Sequence, residues 1–292
     1  MRKRQREDGS ASAAAASPVT IGASKANDHL SRLAALVAKS KRIVVVCGAG
    51  ISTEAGLADF RSPSGLYNIN VGDLPAELLF DIEVLRDDPS FFYKFANVHL
   101  FPALERAEPT ETHRFLVALE RRGKLALAVT QNIDGLELKA GLPRSKLLAV
   151  HGQATSAHCE SCGYVAASGG AGVAGVPAGD GAWWNKAQDS GLPHCPGGHV
   201  LRPDILFFGE AVGKRDMARL DRECRSADLL LVLGSSMSVQ PVSNVVFMTG
   251  EKTVKAFVSL TLPLAHRDAF DVCVVGWTCD DAVRALAKAA GI

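Results

Sequence analysis

Three short apolar runs, each opening into glycine or polar residues, constrain this chain more than any other feature. Ile43-Val44-Val45-Val46 leads through Cys47 into Gly48-Ala49-Gly50-Ile51-Ser52. Leu125 to Val129 leads into Thr130-Gln131-Asn132-Ile133-Asp134-Gly135, and Leu229 to Leu233 into Gly234-Ser235-Ser236. Runs that are continuously apolar, without alternation, belong to strands buried on both faces, as in parallel sheets. Ala256 to Val258 and Val272 to Val275 have the same character, and helical patterns lie between, at Thr112 to Arg121 and Asp280 to Ala290. Strands alternating with helices predict an α/β chain with a doubly wound, Rossmann-like parallel sheet. Ligands of such sheets bind outside the carboxyl ends of the strands. Three polar endings therefore point to one crevice facing a polar ligand.

Composition agrees. A length of 292 residues allows roughly two domains at about 150 residues each, or one large α/β domain, with a core that needs no disulfides. The 32 basic and 31 acidic residues nearly cancel, which argues against a generally basic surface for nucleic acid. No apolar stretch reaches the roughly 18 residues of a spanning helix, and no secretory apolar segment is visible. Seven cysteines, two of them in the pair Cys159/Cys162, point to a metal or redox site in a reducing compartment.

Residues 1–29 read as a disordered tail: Arg2, Lys3, Arg4 and Arg6, then an Ala/Ser run from Ser10 to Ser17. The basic cluster also fits a nuclear address; the Ala/Ser run fits an organelle transit peptide, against which Glu7 and Asp8 argue. Nucleus or cytoplasm is the expected compartment, with the mitochondrion as the other reading. The globular part, 30–292, starts where Leu30, Leu33, Leu36 and Val37 share a helical face. Its Rossmann-like part is expected over 30–66, 110–151 and 204–292. A Leu- and Phe-rich helical insertion occupies 67–109, and a small module, 152–203, carries the Gly- and Ala-loaded stretch Gly163 to Gly181.

Gly48 and Gly50 resemble a phosphate-binding turn in which a following helix N-terminus attracts the anion; a plain tight turn has the same sequence. Thr53 stands where a G-x-G-x-x-G fingerprint has its third glycine, and Asn68 where a dehydrogenase has its ribose acid, so an ordinary dehydrogenase is disfavoured. Asp59-Phe60-Arg61 reads either as a surface ion pair or as a charge and a wall for the site. His151, after Leu147 to Val150, is either a packed residue or a general base, its ordinary pKa of about 6.5 suiting the latter. Cys159, Cys162, Cys195 and His199 make a reasonable Cys₃His zinc set, with His194 and His158 as other candidates for the fourth ligand and ordinary thiols as the alternative. Cys47, Cys224 and Cys273 lie in or near apolar runs and read as core.

Taken together, the segments Gly48 to Gly56, Asp59-Phe60-Arg61-Ser62, Thr130 to Leu136, Val150-His151-Gly152, Arg202 to Glu210 and Gly234 to Pro241 resemble the signature of the sirtuins, NAD-dependent protein deacylases. The resemblance spans about residues 30 to 292; Asp73-Leu74-Pro75 after Gly65-Leu66-Tyr67 is most similar to the eukaryotic deacetylase subgroup. It implies NAD as co-substrate and zinc as a structural metal. Cofactor contacts would come from Gly48, Ala49, Gly50, Ser52, Asp59, Phe60, Arg61, Tyr67, Gln131, Asn132, Ile133, Asp134, Gly234, Ser235, Ser236 and Cys279. His151 and Asn132 would be catalytic. An acetylated-lysine protein or peptide would add as a strand, contacting Leu206, Phe208, Gly209, Glu210 and Val239. The acyl oxygen would attack the ribose as nicotinamide leaves, His151 would deprotonate a ribose hydroxyl, and the products would be nicotinamide, free lysine and O-acyl-ADP-ribose. Neither nucleic acid nor membrane is expected as a partner.

The chain departs from the family at three places. The fourth zinc cysteine is missing. Ser259-Leu260-Thr261 replaces the Asn-containing turn that holds the adenosine ribose. The Tyr-x-x-Arg pair of members that remove succinyl or malonyl groups aligns with Ala96 and His99, beside Phe91, Phe92 and Phe95, which read as an apolar acyl lining. A degenerate sirtuin that binds NAD or a protein with little turnover is the alternative to an active deacetylase.

Overall fold

The computed structural model describes residues 23–59, 65–69, 75–167, 183–186 and 191–292. Expectations that rest on residues 1–22, on Phe60 and Arg61, on Asp73-Leu74, or on the Gly/Ala stretch beyond residue 167 lie outside the described residues.

Nine strands are present among them: β1 Ile43–Cys47, β2 Leu125–Thr130, β3 Leu147–Ala149, β4 Gly152–His158, β5 Val165–Ala167, β6 Arg202–Ile205, β7 Leu229–Leu233, β8 Val254–Ser259 and β9 Val272–Val275. Six form a parallel sheet in the order β3-β2-β1-β7-β8-β9. β1 explains why its run is continuously apolar. Ile43, Val45 and Cys47 enter one core with the helices Ala23–Lys39, Glu111–Arg121 and Cys279–Ala290. Val44 and Val46 enter another, under the helices Lys214–Arg225 and Val245–Met248. The doubly wound parallel sheet expected from the sequence is the one observed. From β1 the chain builds outward to β2 and β3, then crosses back to β7 on the other side. The switch point of the topology thus lies between β1 and β7, where an open sheet places its ligand.

β4, β5 and β6 form a separate antiparallel sheet in the order β5-β4-β6. This sheet and the helical segment from Ala76 to Arg106 bury one common core. Phe92, Phe95 and Phe101 meet Ala154, Ala157, Leu201 and Phe207 in it. Trp183 Nε1 donates to Ala154 O at 2.7 Å, the Tyr93 hydroxyl to Leu201 O at 2.5 Å, and Phe101 stacks on Trp184 at 4.9 Å. The two insertions read separately from the sequence therefore pack as one lobe over the strand ends.

Two further differences have simple causes. The first helix starts at Ala23, before its apolar face begins at Leu30, and His29 Nδ1 bonds Cys273 O at 2.7 Å. The helix Lys214–Arg225 was not legible because only Leu220 and Cys224 are buried among its many charges. No helix among the described residues is long and apolar enough to cross a membrane.

Candidate active site

The loops after β1 and β7 interlock at the switch point. Gly48 N–H donates to Leu233 O at 3.0 Å and Gly50 N–H to Gly234 O at 2.9 Å. A Cβ on Gly48 would stand 2.6 Å from Gly234 O, and one on Gly50 would stand 2.8 Å from Gly234 Cα. These glycines are needed for the approach of two loops of the chain itself, the tight-turn role that the sequence also allowed. The expected helix N-terminus is also missing: short 3₁₀ turns, Ala49–Ile51 and Thr53–Ala55, follow β1.

The end of β2 crosses this interlock. Asn132 Nδ2 donates to Gly48 O at 3.2 Å and to Ser52 Oγ at 3.1 Å. The Ser52 hydroxyl donates in turn to Asp134 Oδ2 at 2.8 Å, and Leu136 N–H to Asp134 Oδ1 at 2.9 Å. With its amide nitrogen committed, Asn132 keeps its carbonyl oxygen as the group it can offer a ligand. Asp134 is buried, and burial raises its pKa against the Leu136 and Ser52 hydrogen bonds. Gln131 accepts from the Ser235 hydroxyl at 2.6 Å, tying the same loop to β7, while Ser236 Oγ pairs with Ser238 Oγ at 2.8 Å on the surface.

His151 follows β3. Its Nδ1 lies 2.9 Å from Gln131 O. A carbonyl only accepts, so Nδ1 carries the hydrogen and Nε2 keeps its lone pair. Burial lowers the pKa of His151, opposed by that backbone bond. The ring is therefore neutral at neutral pH and presents a base.

A cavity of about 190 Å³ lies beside these residues, larger than the roughly 150 Å³ that accommodates benzene in an engineered protein core. Ala49, Ser52, Asn132, Ile133 and Asp134 form one wall, and Leu66, Ile69, His99, Leu100 and Leu104 the other. Phe91, Phe92 and Phe95 do not line it: Phe92 and Phe95 are consumed by edge contacts with Phe80 in the lobe core. His99 reaches the cavity from a π-helical turn, Ala96–Leu100, a local irregularity common at functional sites.

Other expected contacts fall as follows. Asp59 O accepts from Leu66 N at 2.8 Å, and Tyr67 sits in the 3₁₀ turn Leu66–Asn68. Cys279 is buried at the start of its helix, which packs on the turn Ala49–Ile51, and burial pushes its thiol up to about 12. On the proposed peptide edge, Leu206 N–H donates to His151 O at 2.8 Å, linking that edge to the base. Phe208 is pinned through Phe80 O and Ile82 N, with Gly209 beyond it. Val239 O accepts from Ser243 N at 3.0 Å. The Glu210 carboxylate accepts from Arg202 and, at 3.0 Å, from Phe207 N–H, which makes it a brace for the edge.

Cys159, Cys162, Cys195 and His199 converge, one ligating atom of each lying within 4.8 Å of the others. Cys195 Sγ is 3.7 Å from both Cys162 Sγ and His199 Nδ1. Bonds of about 2.3 Å to a tetrahedral zinc imply an S···S edge of about 3.8 Å, so the spacing fits that ion. Burial opposes ionisation of Cys159, but the amides of Cys162 and Ser161 and the neighbouring thiols bring it down to about 7. His158 is engaged elsewhere, with Nδ1 2.5 Å from Asp204, and His194 is outside the cluster. Sequence reasoning missed a second group, His113 and Glu137, buried behind Asp134. The one hint was a Glu placed between Leu136 and Leu138.

A model described as the Sir2 family matches residues 48–241. This chain belongs to the Sir2 family. It is 33% identical over 267 residues to the NAD-dependent histone deacetylase SIR2 of Candida albicans, covering 86% of this chain and 48% of that protein. It is also 33% identical over 270 residues to the NAD-dependent protein deacetylase hst2 of Schizosaccharomyces pombe, covering 90% and 76%. A solved Sir2 structure with a p53 peptide and NAD+ superposes with a TM-score of 0.73 at 29% identity, covering 89% of this chain and 98% of that one. The chain thus spans about half the length of the first of these relatives. Sir2 membership accounts for the parallel sheet, the small second sheet and the Cys/His cluster together.

Proposed function

We propose that this protein is an NAD-dependent protein-lysine deacetylase, acting on an acetylated-lysine protein or peptide. The observation that carries the reading is the tether of His151 Nδ1 to Gln131 O. It fixes the tautomer that leaves Nε2 free and ties the ring to the loop that carries Asn132 and Asp134, which with Ser52 line the cavity.

NAD, as co-substrate, supplies a ribose carbon made electrophilic by departure of nicotinamide. The residues supply the rest. The cavity takes a flat ring, with Asn132 offering a carbonyl acceptor and Asp134 a negative charge near where positive charge develops. His151 Nε2 takes a proton from a ribose hydroxyl, and its neutral state makes it ready to do so. The segment Leu206 to Glu210, braced by Arg202, docks the acetylated peptide as an added strand beside Val239. Cys159, Cys162, Cys195 and His199 would hold zinc, which would cross-link the turn after β4 to the segment before β6 and take no part in the reaction. A nuclear or cytoplasmic compartment goes with this reading through the Arg2 to Arg6 cluster. The names of the relatives, both NAD-dependent deacetylases, support it.

Mass spectrometry tests the reaction. Incubation with NAD and an acetyl-lysine peptide is expected to give deacetylated peptide, nicotinamide and O-acetyl-ADP-ribose in equal amounts. Free acetate in place of the ADP-ribose ester, or no consumption of NAD, would rule it out.

A further inference from the structure

Behind the polar wall of the cavity, Glu137 is buried in a short helix, Leu136–Lys139, with no exposed surface and no hydrogen-bond partner for either carboxyl oxygen. Asp134 faces it from the same loop and His113 from the helix Glu111–Arg121, one ligating atom of each lying within 4.8 Å of the others. The Cys47 thiol of β1 faces the same space, and Thr130 closes it at the end of β2. None of these groups is a cation. Lys139, on the same helix, donates instead to Ala107 O and Glu108.

A His-Asp-Glu trio invites a metal ion, and the hydrogen bonds argue against one. The Thr110 amide donates to His113 Nδ1 at 3.1 Å. The ring hydrogen therefore sits on Nε2, which has no partner and no lone pair to give. Burial pushes His113 down to about 4, although Asp280 pulls it up, so the ring is neutral. Both oxygens of Asp134 already accept, from Ser52 and Leu136. A second carboxylate placed there, with no cation and with burial outweighing what the Thr130 hydroxyl offers, takes up a proton instead.

We propose that Glu137 enters the site as a neutral acid and is a positioning residue for Asp134: the two carboxyls hold one proton between them, so a single negative charge sits on Asp134 under the cavity. The proposal rests on the deacetylase reading, because it concerns the charge that faces the reacting ribose. Burial first, then the charge of Asp134, pushes Glu137 up to about 8 from its ordinary 4.5. Between those values the folded protein keeps a proton that the unfolded chain has released. Stability therefore falls as pH rises across that window.

Glu137→Gln keeps the shape and a neutral donor but cannot titrate. Two readouts do not depend on turnover. The infrared C=O stretch of a protonated carboxyl, present in the wild type at pH 7, is expected to be lost in Glu137→Gln. The unfolding midpoint of the wild type is expected to fall from about pH 5 to about pH 8 more steeply than that of the variant. In nicotinamide release with an acetylated peptide, Glu137→Leu, neutral without a donor, is expected to lose most of its kcat. Its acid limb should move to higher pH, because Asp134 protonates more readily. Glu137→Gln is expected to recover most of that loss and to lack the wild-type decline above about pH 8. An unchanged infrared band, parallel stability curves, or a metal equivalent beyond the zinc that Glu137→Gln abolishes would overturn the proposal. If neither protein releases nicotinamide, the deacetylase reading fails, while the band and the stability slope still decide where the proton is. If Glu137→Leu does not fold, Glu137→Gln carries the test alone.

Discussion

The amide of Gly50 donates to the carbonyl of Gly234 at 2.9 Å, and the two backbones are too close for a side chain on either. A Cβ on Gly234 would stand 2.7 Å from Gly50 Cα, and Gly234 also holds a left-handed φ of 61°. Gly50→Ala is expected to destabilise by about 1–3 kcal/mol through forced separation of the loops. Gly234→Ala should cost about 1–2 kcal/mol more for its backbone conformation. Denaturant unfolding measures both; a wild-type midpoint for Gly50→Ala would show that the loops do not interlock.

One zinc per chain is expected in purified protein. Cys195→Ser and His199→Ala should lower that content, while His194→Ala and His158→Ala should leave it whole. Metal analysis decides between them, and zinc retained in His199→Ala together with loss in His158→Ala would reassign the fourth ligand.

The pH response of His151 follows from its burial. A folded-state pKa below the ordinary 6.5 means the neutral base persists as pH falls through that value. Its imidazole resonance in NMR is expected to titrate below pH 6.5, with the acid limb of kcat/KM lying there too. A midpoint above 6.5 would contradict the desolvated position.

His99, where acyl-carboxylate-removing relatives carry an Arg, also predicts acyl preference. His99 lacks the planar fork that grips a carboxylate at two points, and Leu100 and Leu104 beside it are apolar. A buried succinyl carboxylate would be left without a cation, at a cost of several kcal/mol. Acetyl-lysine is expected to turn over much faster than succinyl-lysine on one peptide at saturating NAD. Equal rates would refute the pocket reading.

The large sheet was legible because its strands are sandwiched, so that neighbours such as Val44 and Val45 both had to be apolar. β4 was not, since it reads Gly-Gln-Ala-Thr-Ser-Ala-His and an irregularity in its pairing separates its buried Ala154 from Ala157. The loop from Gln131 to Gly135 and His151 stood out because each lies just past an apolar strand, while the roles of Asn132 and Asp134 came only from the resemblance. Glu137 and His113 were not legible, because their meeting depends on tertiary packing between segments with no shared motif. The brace that Arg202 gives Glu210 was not legible, because the two pair only once β6 is formed.

Nicotinamide release from NAD, measured with and without an acetyl-lysine peptide in wild type and in His151→Ala, tests the central claim most directly. The account predicts peptide-dependent release and deacetylation in the wild type, with peptide deacetylation falling by about 10²–10⁴ in His151→Ala and an unchanged unfolding midpoint. Deacetylation by His151→Ala at the wild-type rate would contradict it.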